Sequence, residues 1–180
     1  MSLQDTQWNY VYRSGEQNIL KEFYEPALAT AVRYDRAVGF FSTEILLGNL
    51  QGLSSLVRNN GTMRLIIGHP LKKEEYLALK HGMDNYRFLK ELDTLLENII
   101  SEATLTSSNI TLKLFAYLVA AKRIEIKYAF RRAGMYHEKI GIITDSDNNQ
   151  LVFQGSANET MYALGEGYNA ESIGSSHLRV

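Results

Sequence analysis

The sequence predicts a mixed α/β fold, a largely parallel sheet flanked by helices, and three observations carry that prediction. Short apolar runs at Ala37–Phe41 and Met63–Ile67 are separated by one stretch of helical periodicity, the order of a parallel strand–helix–strand unit. A second helical region, Lys72 to Lys122, precedes three runs of strand character at Arg123–Phe130, Tyr136–Thr144 and Leu151–Phe153. The 180 residues, 45% hydrophobic and 22% charged, suit one globular domain rather than a disordered segment. No internal repeat, low-complexity tract or linker interrupts residues 1–180, which read as a single domain.

The elements follow in order. Trp8, Tyr10 and Tyr12 alternate with Asn9, Val11 and Arg13, a strand whose aromatics suit a core or subunit surface better than a base-stacking platform. Ser14-Gly15-Glu16-Gln17 has the form of a capping box opening a helix, with Ile19, Leu20, Phe23 and Ala27 as its buried stripe. Pro26 has no N–H, so that helix should end near Tyr24 and a second turn begin at Pro26. Ile45, Leu46, Leu50, Leu53 and Leu56 keep helical spacing until Asn59-Asn60-Gly61 stops it. Leu89, Leu92, Leu95, Leu96 and Ile99 mark another amphipathic helix, and Thr106–Asn109 breaks it before the next. Ile124, Ile126 and Tyr128 should face inward, and the turn-rich Asp145–Asn149 should join the last two runs as an antiparallel hairpin.

Composition excludes several functions. With no cysteine there is no disulfide scaffold, thiol nucleophile or thiolate metal site. No apolar run approaches the ~20 residues of a membrane span, and the N-terminus lacks an apolar signal core, so no membrane partner and a cytoplasmic location are expected. Asp145-x-Asp147-x-Asn149 has the start of a calcium loop, but Gln150 and Ser156 stand where glycine and glutamate belong, and no metal or other cofactor is expected.

Of the histidines at 69, 81, 137 and 177, only His137 sits in a chemically suggestive setting. His69 before Pro70 reads as a loop residue, His81 as a helix C-terminus and His177 as part of a polar tail. His137-Glu138-Lys139 falls early in an expected strand, so His137 and Lys139 share a face while Glu138 points away with Ile140 and Ile142. A nucleophile or base beside a fixed cation is a way to grip phosphate. The hairpin should bring Gly155-Ser156-Ala157-Asn158 opposite this pair, within a residue or two. Gly155 would admit close backbone approach, and Ser156 and Asn158 would donate to phosphate oxygens. Glu171, in Asn169-Ala170-Glu171, offers a carboxylate to accept from His137 Nδ1.

Those three segments, His137-x-Lys139, Gly155-Ser156-x-Asn158 and Asn169-x-Glu171, resemble the phospholipase D superfamily. The stretch Tyr34-Asp35-Arg36-Ala37-Val38-Gly39-Phe40-Phe41-Ser42 is similar to the phospholipase-D-like domain at the N-terminus of bacterial DEAD/DEAH-box helicases and restriction-type proteins. The resemblance spans about Trp8 to Ile173 and implies a phospholipase-D-like α/β/α sandwich with a single H-x-K motif per chain. It departs from the family's H-x-K-x4-D at Thr144, with Asp145 one residue late. Family enzymes bring two histidines to one phosphorus, so one copy per chain implies a homodimer. The implied catalytic residues are His137, Lys139 and Glu171, with Gly155, Ser156 and Asn158 binding phosphate.

The resemblance implies a metal-independent phosphodiesterase acting on DNA through a phosphohistidine, as part of a restriction or defence-type helicase. A catalytically inactive DNA-binding or dimerisation module is the alternative, and a phospholipase or phosphatidyl transferase ranks third. Met1-Ser2-Leu3 looks like an appended start, and the chain is expected to be an excised N-terminal fragment continuing into a helicase motor. The net charge of −1 hides a local +5 over residues 111–140, where Lys113, Lys122, Arg123, Lys127, Arg131, Arg132 and Lys139 face only Glu125 and Glu138. Arg131, Arg132 and Lys127 are the candidates for guiding a nucleic-acid backbone.

Overall fold

Residues 2–84, 108–129 and 131–178 are described in a computed structural model of the chain. The amphipathic run Leu89–Ile99 lies outside the described residues. The strands are β1 (Val11–Arg13), β2 (Ala31–Val38), β3 (Thr62–Ile67), β4 (Ile124–Tyr128), β5 (Ile140–Asp145), β6 (Gln150–Gly155) and β7 (Ser172–Leu178). The described helices are α1 (Glu25–Thr30), α2 (Glu44–Gly48), α3 (Leu50–Arg58), α4 (Lys73–Asp84), α5 (Ser108–Ala120) and α6 (Met161–Leu164). None of them is long and apolar enough to cross a membrane.

One seven-stranded sheet runs in the order β1-β7-β6-β5-β2-β3-β4. The expected strand–helix–strand unit is there: β2 pairs β3 in parallel, and β3 pairs β4 likewise. The sheet as a whole is mixed rather than largely parallel, because β2–β5, β5–β6, β6–β7 and β7–β1 are all antiparallel. The reason is connection length. Helices supply the long crossovers between the parallel strands β2, β3 and β4, whereas a tight turn joins β5 to β6 and the loop with the one-turn α6 joins β6 to β7.

Alternation sorts each strand into two faces. Tyr34, Val38, Met63, Leu65, Ile67, Ile143, Leu151 and Phe153 are buried in one continuous core, with Phe23, Leu28, Leu56 and Phe115 from the helical layer. Phe23 is the hub of an aromatic cluster, 4.9 Å from Phe153, 5.0 Å from Tyr12, 5.3 Å from Tyr24 and 5.9 Å from Trp8 between ring centres. Edge-to-face pairs of this kind contribute about 0.5–1.5 kcal/mol each beyond area burial. Tyr10, expected on the same side as Trp8 and Tyr12, is instead 86% exposed. At Gly141 an added Cβ would lie 2.1 Å from the ring of its cross-strand partner Phe153, so glycine is what lets that ring lie flat on the sheet.

The remaining local expectations divide. Ile19, Leu20, Phe23 and Ala27 are buried as the stripe required, and a π-helical turn at Leu20–Tyr24 runs into α1 with Pro26 in its first turn. The helix of the first crossover breaks into α2 and α3 at Asn49, and Asn60 (φ 60°) closes the Asn59–Gly61 stop. Ser14 is not a helix cap: its hydroxyl donates to the Asn169 carbonyl at 2.9 Å and accepts from the Glu171 N–H at 2.9 Å. Ser2 and Leu3 are built into the fold, Leu3 being fully buried and Ser2 bonding the Asp145 carboxylate at 2.7 Å.

Candidate active site

The segment Tyr136–Lys139 crosses the carboxyl ends of the parallel strands, the position at which open α/β sheets place ligands. Gly39 follows β2, and a Cβ there would sit 2.9 Å from the His137 ring and 3.4 Å from Asn158 Oδ1. Gly68 follows β3, and its Cβ would meet the Tyr136 carbonyl oxygen at 2.2 Å. Both glycines are therefore close-approach positions.

His137 and Lys139 were expected within a strand, but β5 begins at Ile140 and the segment ahead of it is irregular. The β alternation nonetheless carries through Lys139, which is buried like Gly141 and Ile143, whereas His137 is exposed. The Lys139 ammonium lies 3.1 Å from His137 Nδ1, 3.0 Å from Nε2 and 3.3 Å from the His137 carbonyl oxygen. Burial pushes the Lys139 pKa below the ordinary lysine value, and Arg36 adds to that, while Glu171 and Glu138 act in the opposite direction. The site thus holds a lysine whose charge is disfavoured chiefly by burial, which a bound anion would offset.

The hairpin register sets Gly155 against Lys139, its N–H donating to the Lys139 carbonyl at 3.3 Å. Gly155 was expected to face a ligand; instead a Cβ there would lie 2.0 Å from the Ser172 carbonyl oxygen, so its smallness serves the approach of β7. Ser156 Oγ accepts the Ser172 N–H at 3.1 Å and keeps its own proton to donate. Asn158 Oδ1 accepts the Phe40 N–H at 3.1 Å, which assigns the amide and leaves its N–H donors for another acceptor. Glu171 is fixed by Ser14 and accepts from Asn169 Nδ2 at 3.4 Å. Among the described residues no hydrogen bond joins His137 to Glu171; the carboxylate's charge acts on Lys139.

Beneath these residues lies a buried ion pair that the sequence reading missed. Arg36 Nε donates to Glu159 Oε2 at 2.9 Å with both side chains at most 2% exposed, and Nη2 donates to the Ala157 carbonyl at 2.7 Å. Tyr34 donates to the same carboxylate at 3.0 Å, and burial with the nearby Glu159 charge pushes its pKa well up, so it stays a donor. The guanidinium lies 5.0 Å over the Phe153 ring. Above the pair, the Glu159 N–H donates to the Phe40 carbonyl at 3.2 Å and the Ser42 N–H to the Glu159 carbonyl at 3.1 Å. The loop after β2 and the loop after β6 are in this way locked together. The available signal was parity: Arg36 falls on the inward side of β2 with Tyr34 and Val38, and an inward arginine requires an acid.

The expected basic patch is smaller than its charge sum. Arg131 and Arg132 are exposed on the segment leading to His137. Lys127 pairs with Glu125 at 3.2 Å on the other face of the sheet, where both border a concavity of about 270 Å³ with Asp35 and Arg64. Arg123 sits at the start of β4 and donates to the Asn60 carbonyl at 2.8 Å. Asp145 turns away into the hairpin, as its Asx-type bonds from the N–H groups of Asp147 and Asn149 require. His69 stacks on Phe40 with ring centres 4.7 Å apart.

No family model matches the sequence, and no curated protein matches it. Among solved structures the chain is similar to NucT from Helicobacter pylori, with 15% identity over 92% of this chain and 84% of that one at a TM-score of 0.51. Yeast tyrosyl-DNA phosphodiesterase aligns at 12% identity and a TM-score of 0.45, over 82% of this chain and 26% of that one. The chain has a phospholipase-D-like fold.

Proposed function

We propose that the domain is a phosphodiesterase of nuclease type that cleaves DNA without a metal ion. The observation that carries this reading is the Lys139 ammonium held 3.0–3.1 Å from the His137 ring, with Ser156 and Asn158 presented from the facing loop. In the proposed reaction a ring nitrogen of neutral His137 attacks phosphorus, the P–N bond forming as the P–O bond to the leaving strand breaks. The partner subunit's His137 gives its proton to the departing oxygen. Water then attacks phosphorus, returns a proton to that second histidine, and the P–N bond breaks. Lys139 from both subunits offsets the charge that builds on the equatorial oxygens. Two imidazoles facing one phosphorus resist double protonation, which favours the one-neutral, one-charged state the reaction needs. Attachment to a helicase motor rests on the Tyr34–Ser42 resemblance alone.

The experiment is cleavage of plasmid and single-stranded DNA in excess EDTA. Cleavage is expected to persist in EDTA and to fall more than ~10³-fold in His137→Ala with the fold unchanged. Full activity in that variant sinks the assignment. A second reading, an inactive DNA-binding module, is favoured by the lack of a His137–Glu171 bond among the described residues; DNA binding without cleavage in the intact protein selects it.

A further inference from the structure

We propose that the Tyr162–Tyr168 pair is a stacking site for a nucleobase of an unpaired nucleic-acid strand. The proposal rests on the phosphodiesterase reading and adds the part of the substrate that reading leaves open. Tyr162 is 69% exposed and Tyr168 55%, with ring centres 5.1 Å apart and planes at 69°. Two large rings kept in contact with each other and open to water leave a π-face for a third.

The backbone beneath them is held in place. Thr160 caps α6 by accepting the Ala163 N–H at 3.2 Å, Ala163 and Leu164 are buried, and the Asn169 N–H donates to the Tyr162 carbonyl at 3.0 Å. Gly165 makes room for Tyr168, since a Cβ there would lie 3.0 Å from its ring and 2.7 Å from the Met161 carbonyl. Gly167, at φ +79°, takes the left-handed turn that returns the chain to Tyr168. Rings presented on a fixed loop lose little freedom when a base stacks on them.

Their position points to the ligand. The loop that carries both rings opens after Asn158 and closes on Asn169-x-Glu171, whose carboxylate acts on Lys139. Both ends of the loop are tied to the site, Asn158 lying with His137 against Gly39 and Glu171 acting on Lys139, so the proposed position of a base flanking the gripped phosphate is on its rings. In a duplex both faces of each base are covered by neighbours, so the occupant is a base of an unpaired strand.

The test compares a labelled oligothymidylate with an abasic strand of the same length and charge, both built on a cleavage-resistant phosphorothioate backbone, by fluorescence anisotropy. The intact protein is expected to prefer the base-bearing strand by roughly 5- to 150-fold, the worth of one stacked base. Tyr162→Ala with Tyr168→Ala should bind both strands as the intact protein binds the abasic one, and Tyr162→Phe with Tyr168→Phe should keep the preference. An unchanged preference in the double alanine variant overturns the proposal, as does no preference in the intact protein. A double alanine variant that drops from dimer to monomer on size exclusion also overturns it, assigning the rings to a subunit interface. Failure of the phosphodiesterase reading appears separately, as cleavage undiminished in His137→Ala while the base preference stands.

Discussion

The two ends of β5 treat buried charge in opposite ways. At its far end Asp145 accepts from Ser2 Oγ at 2.7 Å, from the Leu3 N–H at 3.0 Å, from Asn149 Nδ2 and from the N–H groups of Asp147 and Asn149. Burial alone would raise its pKa, yet these donors bring it down to about 2. At the near end Lys139 is buried too, but there burial holds the pKa below the ordinary lysine value against the pull of Glu171, and the groups within reach of its ammonium are the His137 ring and one carbonyl. A polar group whose bonds are complete is finished as structure, and one left short is set up for a ligand. The contrast also accounts for the departure at the aspartate position: here the acid in that region serves the hairpin and the N-terminal segment.

The largest expected effect is at Arg36, which lies beneath the reactive end with Nε on Glu159 and Nη2 on the Ala157 carbonyl, while its buried Nη1 has no partner. Arg36→Met should cost about 3–5 kcal/mol in urea unfolding, because Glu159 is left buried and unpaired. Pairing it with Glu159→Leu should restore most of that stability while DNA cleavage stays low, since the Ala157 carbonyl has lost its anchor. Recovery of both together would show that the ion pair does not position the loop.

Next in size is Asp145→Ala. The lowered pKa means that the carboxylate's stabilisation is complete above its unfolded value near 3.8 and is lost as the pH falls through about 2. The expected loss is roughly 2 kcal/mol at neutral pH, with the gap to the unmodified protein closing between about pH 4 and 2, and activity per folded molecule unchanged. An acid-unfolding curve that does not converge would break the contrast between the two ends.

The smallest effect is at Lys139. Its depressed pKa makes phosphate-analogue affinity fall on an alkaline limb below the ordinary lysine value of 10.5, and Lys139→Arg should remove that limb. Lys139→Ala should weaken binding by about tenfold, the loss of one charge-assisted contact, with thermal stability equal or raised because a disfavoured buried charge is gone. A stability loss like that of Asp145→Ala would place Lys139 among the structural charges.

Much of the site was legible because its grouping is local: His137 with Lys139, and Ser156 with Asn158, lie a few residues apart, and the Asp145–Asn149 turn sets their register. Three details were not. The Ser14 hydroxyl looked like a cap because a capping box is only a spacing, whereas its partners at Asn169 and Glu171 are chosen by the β1–β7 pairing. Gly155 looked like a ligand contact because a glycine records close approach without recording what approaches. Lys127 and Arg123 looked like part of one basic patch because summed charge ignores which face, and which end, of a strand each residue occupies.

Periodicity and turn chemistry, which act over a few residues, determined the parallel β2–β3 unit and the hairpin, whereas β7, read as a polar tail around His177, is a strand because β6 and β1 pair with it. Tertiary structure alone decided that Arg36 and Glu159, 123 positions apart, neutralise each other beneath the site, and that Gly39 and Gly68 give way to Tyr136 and His137. The physical reason is that such contacts are set by the order in which strands enter the sheet, and strand order depends on which distant segments bury each other's apolar faces.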